Sequence, residues 1–149
     1  MSPFTHEQPI VMTRDEMLRI LKKYSYGRLG LAFQNEPYIV PVSYGYDQGR
    51  IFFHSSKQGK KVDFIKNNSK VCFEVDEYEK GSDRVNESFV SVICYGTATL
   101  REDIEAKRRF FEVLSGQKPS DEQLEKMGTY IGIIQIEDMT GRRSTTFSL

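Results

Sequence analysis

From Tyr38 to Tyr46 the chain reads Tyr-Ile-Val-Pro-Val-Ser-Tyr-Gly-Tyr, with a large apolar or aromatic residue at every second position. A period of two marks a β-strand with one face against a core, because successive side chains point to opposite sides of the pleat. Tyr38, Val40, Val42, Tyr44 and Tyr46 share one face, and Ile39, Pro41, Ser43 and Gly45 share the other. Asp47-Gln48-Gly49 then predicts a tight turn into a further strand, Arg50–His54, completing a hairpin.

The same pattern recurs at Tyr26–Phe33, ended by Gln34-Asn35-Glu36-Pro37, and at Lys70–Tyr78, Phe89–Arg101 and Tyr130–Met139. Helical spacing interrupts it. Thr13-Arg14-Asp15-Glu16 is a capping box ahead of a helix over 14–24, and Ser120-Asp121-Glu122-Gln123 opens a short one in the same way. Two more helices are predicted, over Lys60–Asn67 and over Asp103–Leu114, the second with Gly116 just past its end. Residues 1–12 read as an irregular arm and Glu79–Glu87 as a polar loop. Six strands with helices outside predict a mainly β fold, a six-stranded antiparallel β-barrel with peripheral helices whose closure would remove exposed strand edges.

A chain of 149 residues suits one domain spanning 1–149, and such a domain buries roughly 68–70% of its unfolded surface, enough for a core without disulfides or metals. Hydrophobic residues make up 38% and the mean hydropathy is −0.51. No apolar run approaches the roughly 18 residues of a membrane helix, and the start MSPFTHEQ is unlike a signal peptide; a cytoplasmic protein with no membrane partner is expected. Lysine plus arginine, 21, balance aspartate plus glutamate, 21, which argues against long-range attraction to nucleic acid. Cys72 and Cys94 form no paired motif, and with two histidines no metal centre is expected. Both cysteines are expected to be small buried residues of a reducing compartment. The acidic run Asp76–Lys80 is read as a solvated strand end.

The stretch most suggestive of chemistry is His54-Ser55-Ser56-Lys57-Gln58-Gly59-Lys60-Lys61, where a strand runs through two hydroxyls and a glycine into two lysines at a helix start. Each piece suits an anion: hydroxyls donate, glycine lets the backbone approach, and first-turn amides have no partner within the helix. It is not a nucleoside-triphosphate loop, because His54 stands where the first glycine belongs and Val62 where the metal-binding hydroxyl belongs. A terminal phosphomonoester fits, as does an ordinary solvated turn. Lys60 and Lys61 are both expected to face solvent.

Pro41 within its strand forfeits a ladder donor. It marks either a protected edge or a place where free backbone groups meet a flat aromatic ring. His54 is a candidate for a phosphate contact, a ring contact or a catalytic proton source. Tyr44, Tyr46 and Tyr95 read as core aromatics, and Arg142 and Arg143 as a solvated tail.

Taken in order, Tyr38-Ile-Val-Pro-Val-Ser-Tyr, Ile51-Phe-Phe-His-Ser-Ser, Gly59-Lys-Lys-Val-Asp, Val71-Cys-Phe-Glu-Val-Asp, Ser91-Val-Ile-Cys-Tyr-Gly-Thr-Ala and Ile136-Glu-Asp-Met-Thr-Gly-Arg resemble the flavin-binding split barrels related to pyridoxamine 5′-phosphate oxidase. Among them the chain is most similar to the nitroimidazole-resistance branch. The resemblance implies a six-stranded split barrel that forms a homodimer, with FMN (or FAD) in clefts between subunits. It implies that Val40, Pro41, Val42, Ser43 and Tyr44 line the ring through their backbone, and that Phe53, His54, Ser55, Ser56, Lys60 and Lys61 hold the phosphate end. Val42, Ser43 and His54 become the ring-side residues, and the partner's segment matching Ser88–Ser91 completes the cleft. The carboxy-terminal end, Gly141-Arg-Arg-Ser-Thr-Thr-Phe-Ser-Leu, lacks the oxidase's signature for its substrate phosphate. The implied activity is therefore flavin-dependent reduction of a small electron-poor molecule such as a nitroaromatic. The same resemblance covers flavin storage or sensing without turnover, and haem handling in which His54 or His6 would serve.

Overall fold

A computed structural model describes residues 8–81 and 87–149; His6 and the middle of the predicted Glu79–Glu87 loop lie outside them. In chain order the elements are β1 (Ile10–Val11), α1 (Arg14–Lys23), β2 (Tyr26–Phe33), β3 (Glu36–Ser43), β4 (Gly45–Asp47), β5 (Arg50–Ser55), α2 (Lys60–Asn67), β6 (Lys70–Glu79), β7 (Ser88–Arg101), α3 (Ile104–Ser115), α4 (Asp121–Glu125) and β8 (Tyr130–Arg143).

The strands make one antiparallel sheet in the order β3-β2-β6-β7-β8-β5-β4, with β1 added to β8. Two-residue turns set the registers of two hairpins. Gln34 and Asn35 carry positive φ between β2 and β3, and Gln48 and Gly49 do so between β4 and β5, the backbone twist that suits a tight hairpin. Glu36 and Pro37, expected in the first turn, already belong to β3.

The predicted Tyr38–Tyr46 strand is broken in two. Up to Tyr44 the alternation holds: Val42 and Tyr44 are buried, while Ile39, Pro41 and Ser43 are exposed. At Tyr44 the strand leaves its ladder and the Tyr44 amide bonds the Ser25 carbonyl at 2.9 Å. Gly45 consequently lies buried, and a Cβ there would stand 2.7 Å from Val113 and 2.8 Å from Leu114. Among the described residues β3 pairs with β2 alone and β4 with β5 alone. The curled sheet is therefore a split barrel, and full closure is not reached.

Its interior holds Leu29, Tyr44, Ile51, Phe53, Phe73, Val92 and Ile134, capped by Ile20 and Leu21 of α1 and by Phe64 and Ile65 of α2. A second cluster lies on the outer side of β5 and β8, where α3 packs Ala106 and Phe110 over Phe52, Ile131 and Ile133. Both predicted capping boxes are present, at Thr13/Glu16 and Ser120/Gln123.

The two ends of the chain depart from expectation. β8 continues through Arg142 and Arg143, which pair with Val11 and Ile10, so part of the predicted arm is a strand. Arg143 is no solvated tail, since its Nε lies 3.0 Å from Glu16 Oε2 and both side chains are about one-fifth exposed. Cys94 is fully buried, which pushes its thiol up to about 12, whereas Cys72 is only half-buried. Tyr95, expected in the core, is 44% exposed. The acidic run forms the exposed end of β6, where Asp76 pairs with Arg28 and Tyr24 donates to Glu77.

Candidate functional site

Strand alternation sorts the residues of β5. Ile51 and Phe53 face the barrel interior, and Ser55 follows them, only 2% exposed. Phe52 and His54 face outward beneath α3, where the exposed His54 ring stands edge-on to Phe110 with centroids 5.5 Å apart. The structure thus places His54 and Ser55 on opposite sides of the strand.

Beyond β5 the chain turns through Ser56 to Gly59. The Ser55 hydroxyl donates to the Ser56 carbonyl at 2.9 Å, and the Ser56 hydroxyl donates to the Gln58 carbonyl at 2.8 Å. Both serines therefore shape the loop. Gly59 sits at φ 125°, a conformation that side chains resist, and a Cβ there would meet nothing within 4 Å. Gly59 also precedes α2 without any side-chain cap. The first-turn amides of the helix are left open beside an uncrowded backbone.

The two lysines of this turn have different surroundings. Lys60 Nζ lies 2.7 Å from Glu36 Oε1 and 5.0 Å from the centre of the Tyr38 ring. Lys61 is half-buried with its Nζ 6.0 Å from the centre of the Phe53 ring. Among the described residues it has neither an ion pair nor a hydrogen bond, and burial pulls its pKa below the ordinary lysine value. An ammonium held this way, next to open amides, is suited to an anionic guest.

The backbone of β3 borders the same region. Val40 is half-buried and Val42 buried, while Pro41 and Ser43 are exposed on the strand's unpaired edge. β4 pairs with β5 only as far as Phe52, so Phe53–Ser55 also lack a neighbour on that side. β3 and β5 approach each other across this gap. Tyr44 contributes backbone only, because its phenol is buried and donates to the Leu21 carbonyl at 2.8 Å.

Sequence reasoning missed a second group at the same rim. Tyr130 of β8 pairs with Ser55. Lys57 Nζ lies 2.8 Å from Glu102 Oε2, and the Lys57 and Lys66 ammonium groups lie 5.8 and 5.2 Å from the centre of the Tyr130 ring. Lys107 of α3 is only 5% exposed. These residues come from four separate segments, so no local spacing announces them.

Opposite this rim's inner side, the outer face of the sheet carries an apolar band. Ile39, Gly30, Cys72 and Tyr95 stand side by side across β3, β2, β6 and β7. They line a cleft of about 610 Å³ together with Pro37 and Tyr38. Charged pairs flank the band, Arg28 with Glu74 on one side and Lys70 with Glu137 on the other.

Among the described residues no helix is long and apolar enough to cross a membrane. Other solved structures share the fold. A candidate 5-nitroimidazole antibiotic resistance protein of Bacteroides thetaiotaomicron superposes with a TM-score of 0.77 at 21% identity, over 96% of each chain. An FAD-binding protein of Mesorhizobium loti gives 0.73 at 23% identity, over 93% of this chain and all of that one. An FAD-binding protein of Mycobacterium smegmatis gives 0.66 at 24%, over 90% and 97%. An uncharacterised protein of Rhizobium meliloti is 25% identical over 147 residues, 89% of this chain and 93% of that one. The sequence profile of the pyridoxamine 5′-phosphate oxidase family matches residues 13–143, and the chain belongs to that family.

Proposed function

We propose that this protein binds a flavin nucleotide and uses it to reduce a small electron-poor molecule. The observation that carries the reading is Lys61, a half-buried side chain whose ammonium has no ion pair or hydrogen bond among the described residues, at the uncapped start of α2. Lys61, the amides that follow Gly59 and the Ser55–Ser56 loop hold the nucleotide phosphate. The backbone edge of Val40–Ser43 that faces away from β2 supports the ring across the split, where its free groups meet the ring's own donors and acceptors. Bound flavin supplies hydride or single-electron transfer. The chain's own part is to bind, orient and shield, and His54, on the far side of β5 from Ser55, is not needed for it. FAD-binding relatives of the same fold support the cofactor class, and the nitroimidazole-resistance relative supports an electron-poor acceptor.

The same reading assigns the apolar band to a second copy of this chain. A strip bearing Ile39, 66% exposed, and Tyr95, bordered by charged pairs, has the apolar centre and polar rim of a protein interface. Two subunits meeting there would bring a partner surface up to the β3 edge and wall the cleft.

The test is spectroscopic, then kinetic. Purified protein should carry flavin absorbance that is released on denaturation. Reduced anaerobically and mixed with a nitroaromatic, it should reoxidise faster than free reduced flavin. A colourless protein that takes up no added flavin, or reoxidation no faster than free flavin, contradicts the corresponding half.

A further inference from the structure

The Val40–Ser43 edge ends beside an aromatic side chain that flavin binding alone does not use. Tyr26, the first residue of β2, pairs with Ser43, the last residue of β3. Residues paired directly across antiparallel strands project from the same face, with Cβ atoms about 4.5–5.5 Å apart. The ladder stops at this pair, because Tyr44 turns its amide to the Ser25 carbonyl and the chain passes into β4. Tyr26 therefore stands at the end of the split, where β3 gives way to β4.

Its surroundings set it apart from the neighbouring rings. Tyr26 is 54% exposed, joins neither core cluster and makes no hydrogen bond through its hydroxyl among the described residues. Every tyrosine and phenylalanine between Glu36 and Ser55 is engaged: Tyr38 lies under the Lys60 ammonium, the Tyr46 hydroxyl accepts from the Gly49 amide, and Tyr44, Phe52 and Phe53 are buried. Two residues along β2, Arg28 is held by Glu74 at 2.8 Å and by Asp76. That pair separates Tyr26 from Gly30 and the apolar band, on the order of 13 Å away along the strand. Tyr26 thus lies outside the strip assigned to a second copy. An open phenol ring is electron-rich, and it stacks in an offset arrangement on a flat ring whose electrons have been withdrawn.

We propose that Tyr26 is a specificity-determining residue that stacks on an electron-poor aromatic substrate at the mouth of the flavin cleft. The inference rests on the flavin reading above and narrows its substrate class to flat aromatic acceptors. The exposed Pro41 and Ser43 side chains of β3 border the same face, so a substrate on Tyr26 lies alongside the strand that supports the flavin ring. The contact fixes where the acceptor rests, and the electrons come from the reduced flavin.

Anaerobic stopped-flow mixing tests it, with photoreduced, flavin-loaded protein and increasing nitrobenzyl alcohol, on the wild type, Tyr26→Phe and Tyr26→Leu. Leucine keeps an apolar side chain and loses the ring, so Tyr26→Leu should raise the half-saturating nitroaromatic concentration about three- to tenfold. Tyr26→Phe keeps the ring and should stay within about twofold of the wild type. Reoxidation by dioxygen, which is too small to stack, is the reference that separates lost substrate binding from damage to the flavin site. The side chain is exposed, so both variants should fold. An unchanged half-saturating concentration in Tyr26→Leu, equal losses in both variants, or a matching loss with dioxygen overturns the stacking role and leaves the flavin reading in place. A wild type that takes up no flavin, or that reoxidises no faster than free reduced flavin, overturns that reading and this role together.

Discussion

Lys60 Nζ lies 2.7 Å from Glu36 Oε1, so the first of two adjacent lysines is already neutralised by the β2–β3 hairpin. Lys61 has no such partner among the described residues. The asymmetry decides which lysine an incoming phosphate would recruit. Lys61→Ala should weaken flavin affinity by about 10- to 100-fold, the worth of a shielded charge-assisted bond. Lys60→Ala should cost only a few-fold, since Lys60 must leave Glu36 to help. Flavin fluorescence titration of the two variants measures both.

The depressed pKa of Lys61 gives a pH signature with a defined sign. Burial disfavours the charged form, so the folded pKa lies below the ordinary 10.5 and the unfolded chain binds the proton more tightly. The stability of the flavin-free protein should therefore rise, in this group's contribution, as pH climbs from the folded pKa toward 10.5. Flavin affinity should fall over the same window as the ammonium is lost. In Lys61→Arg the fall should vanish from that window, because arginine keeps its charge. Titrations at stepped alkaline pH check the direction.

Tyr44 ties α1 to the barrel. Its hydroxyl donates 2.8 Å to the Leu21 carbonyl, one of the last-turn carbonyls that a helix cannot satisfy itself. Tyr44→Phe removes that donor and strands a buried acceptor, so it should destabilise the fold by about 1–3 kcal/mol. Urea denaturation followed by far-ultraviolet circular dichroism measures it.

Gly132 leaves room for Phe53. A Cβ at this position would stand 2.1 Å from the Phe53 ring, which is fully buried and cannot swing away. Gly132→Ala should cost about 1–3 kcal/mol by overpacking and shift the base of β5 beneath the Ser55 loop. Thermal unfolding gives the cost.

The apolar band predicts an assembly state. Tyr95→Asp, or Ile39→Asp, places a charge on an exposed position of the sheet's outer face and should convert a dimer into a monomer with the fold retained. Sedimentation velocity distinguishes the two species. A wild type that sediments as a monomer would refute the dimer.

Most of the architecture is legible locally, because capping boxes, two-residue turns and strict alternation are short-range signals. Thr13 and Glu16 lie three residues apart, and their reciprocal bonds form as the spacing predicts. What the sequence hides depends on distant partners. Arg143 finds Glu16 across 127 residues, which turns an apparent tail into a half-buried ion pair and extends β8. Tyr44 breaks its strand because a carbonyl at Ser25 accepts its amide, and nothing in the alternation marks that point. The Ser55–Lys61 loop is visible as a motif, but the inequality of Lys60 and Lys61 depends on Glu36. The Lys57, Lys66, Lys107 and Tyr130 cluster has no sequence signature, since the fold alone gathers it.

A phosphate in the α2 corner is the centre of this account, and comparing FMN with riboflavin isolates it, because the two differ only in that phosphate. In equilibrium fluorescence titrations the protein should bind FMN at least about tenfold more tightly than riboflavin, and Lys61→Ala should erase most of the difference. Equal affinity for FMN and riboflavin in the wild type would contradict it.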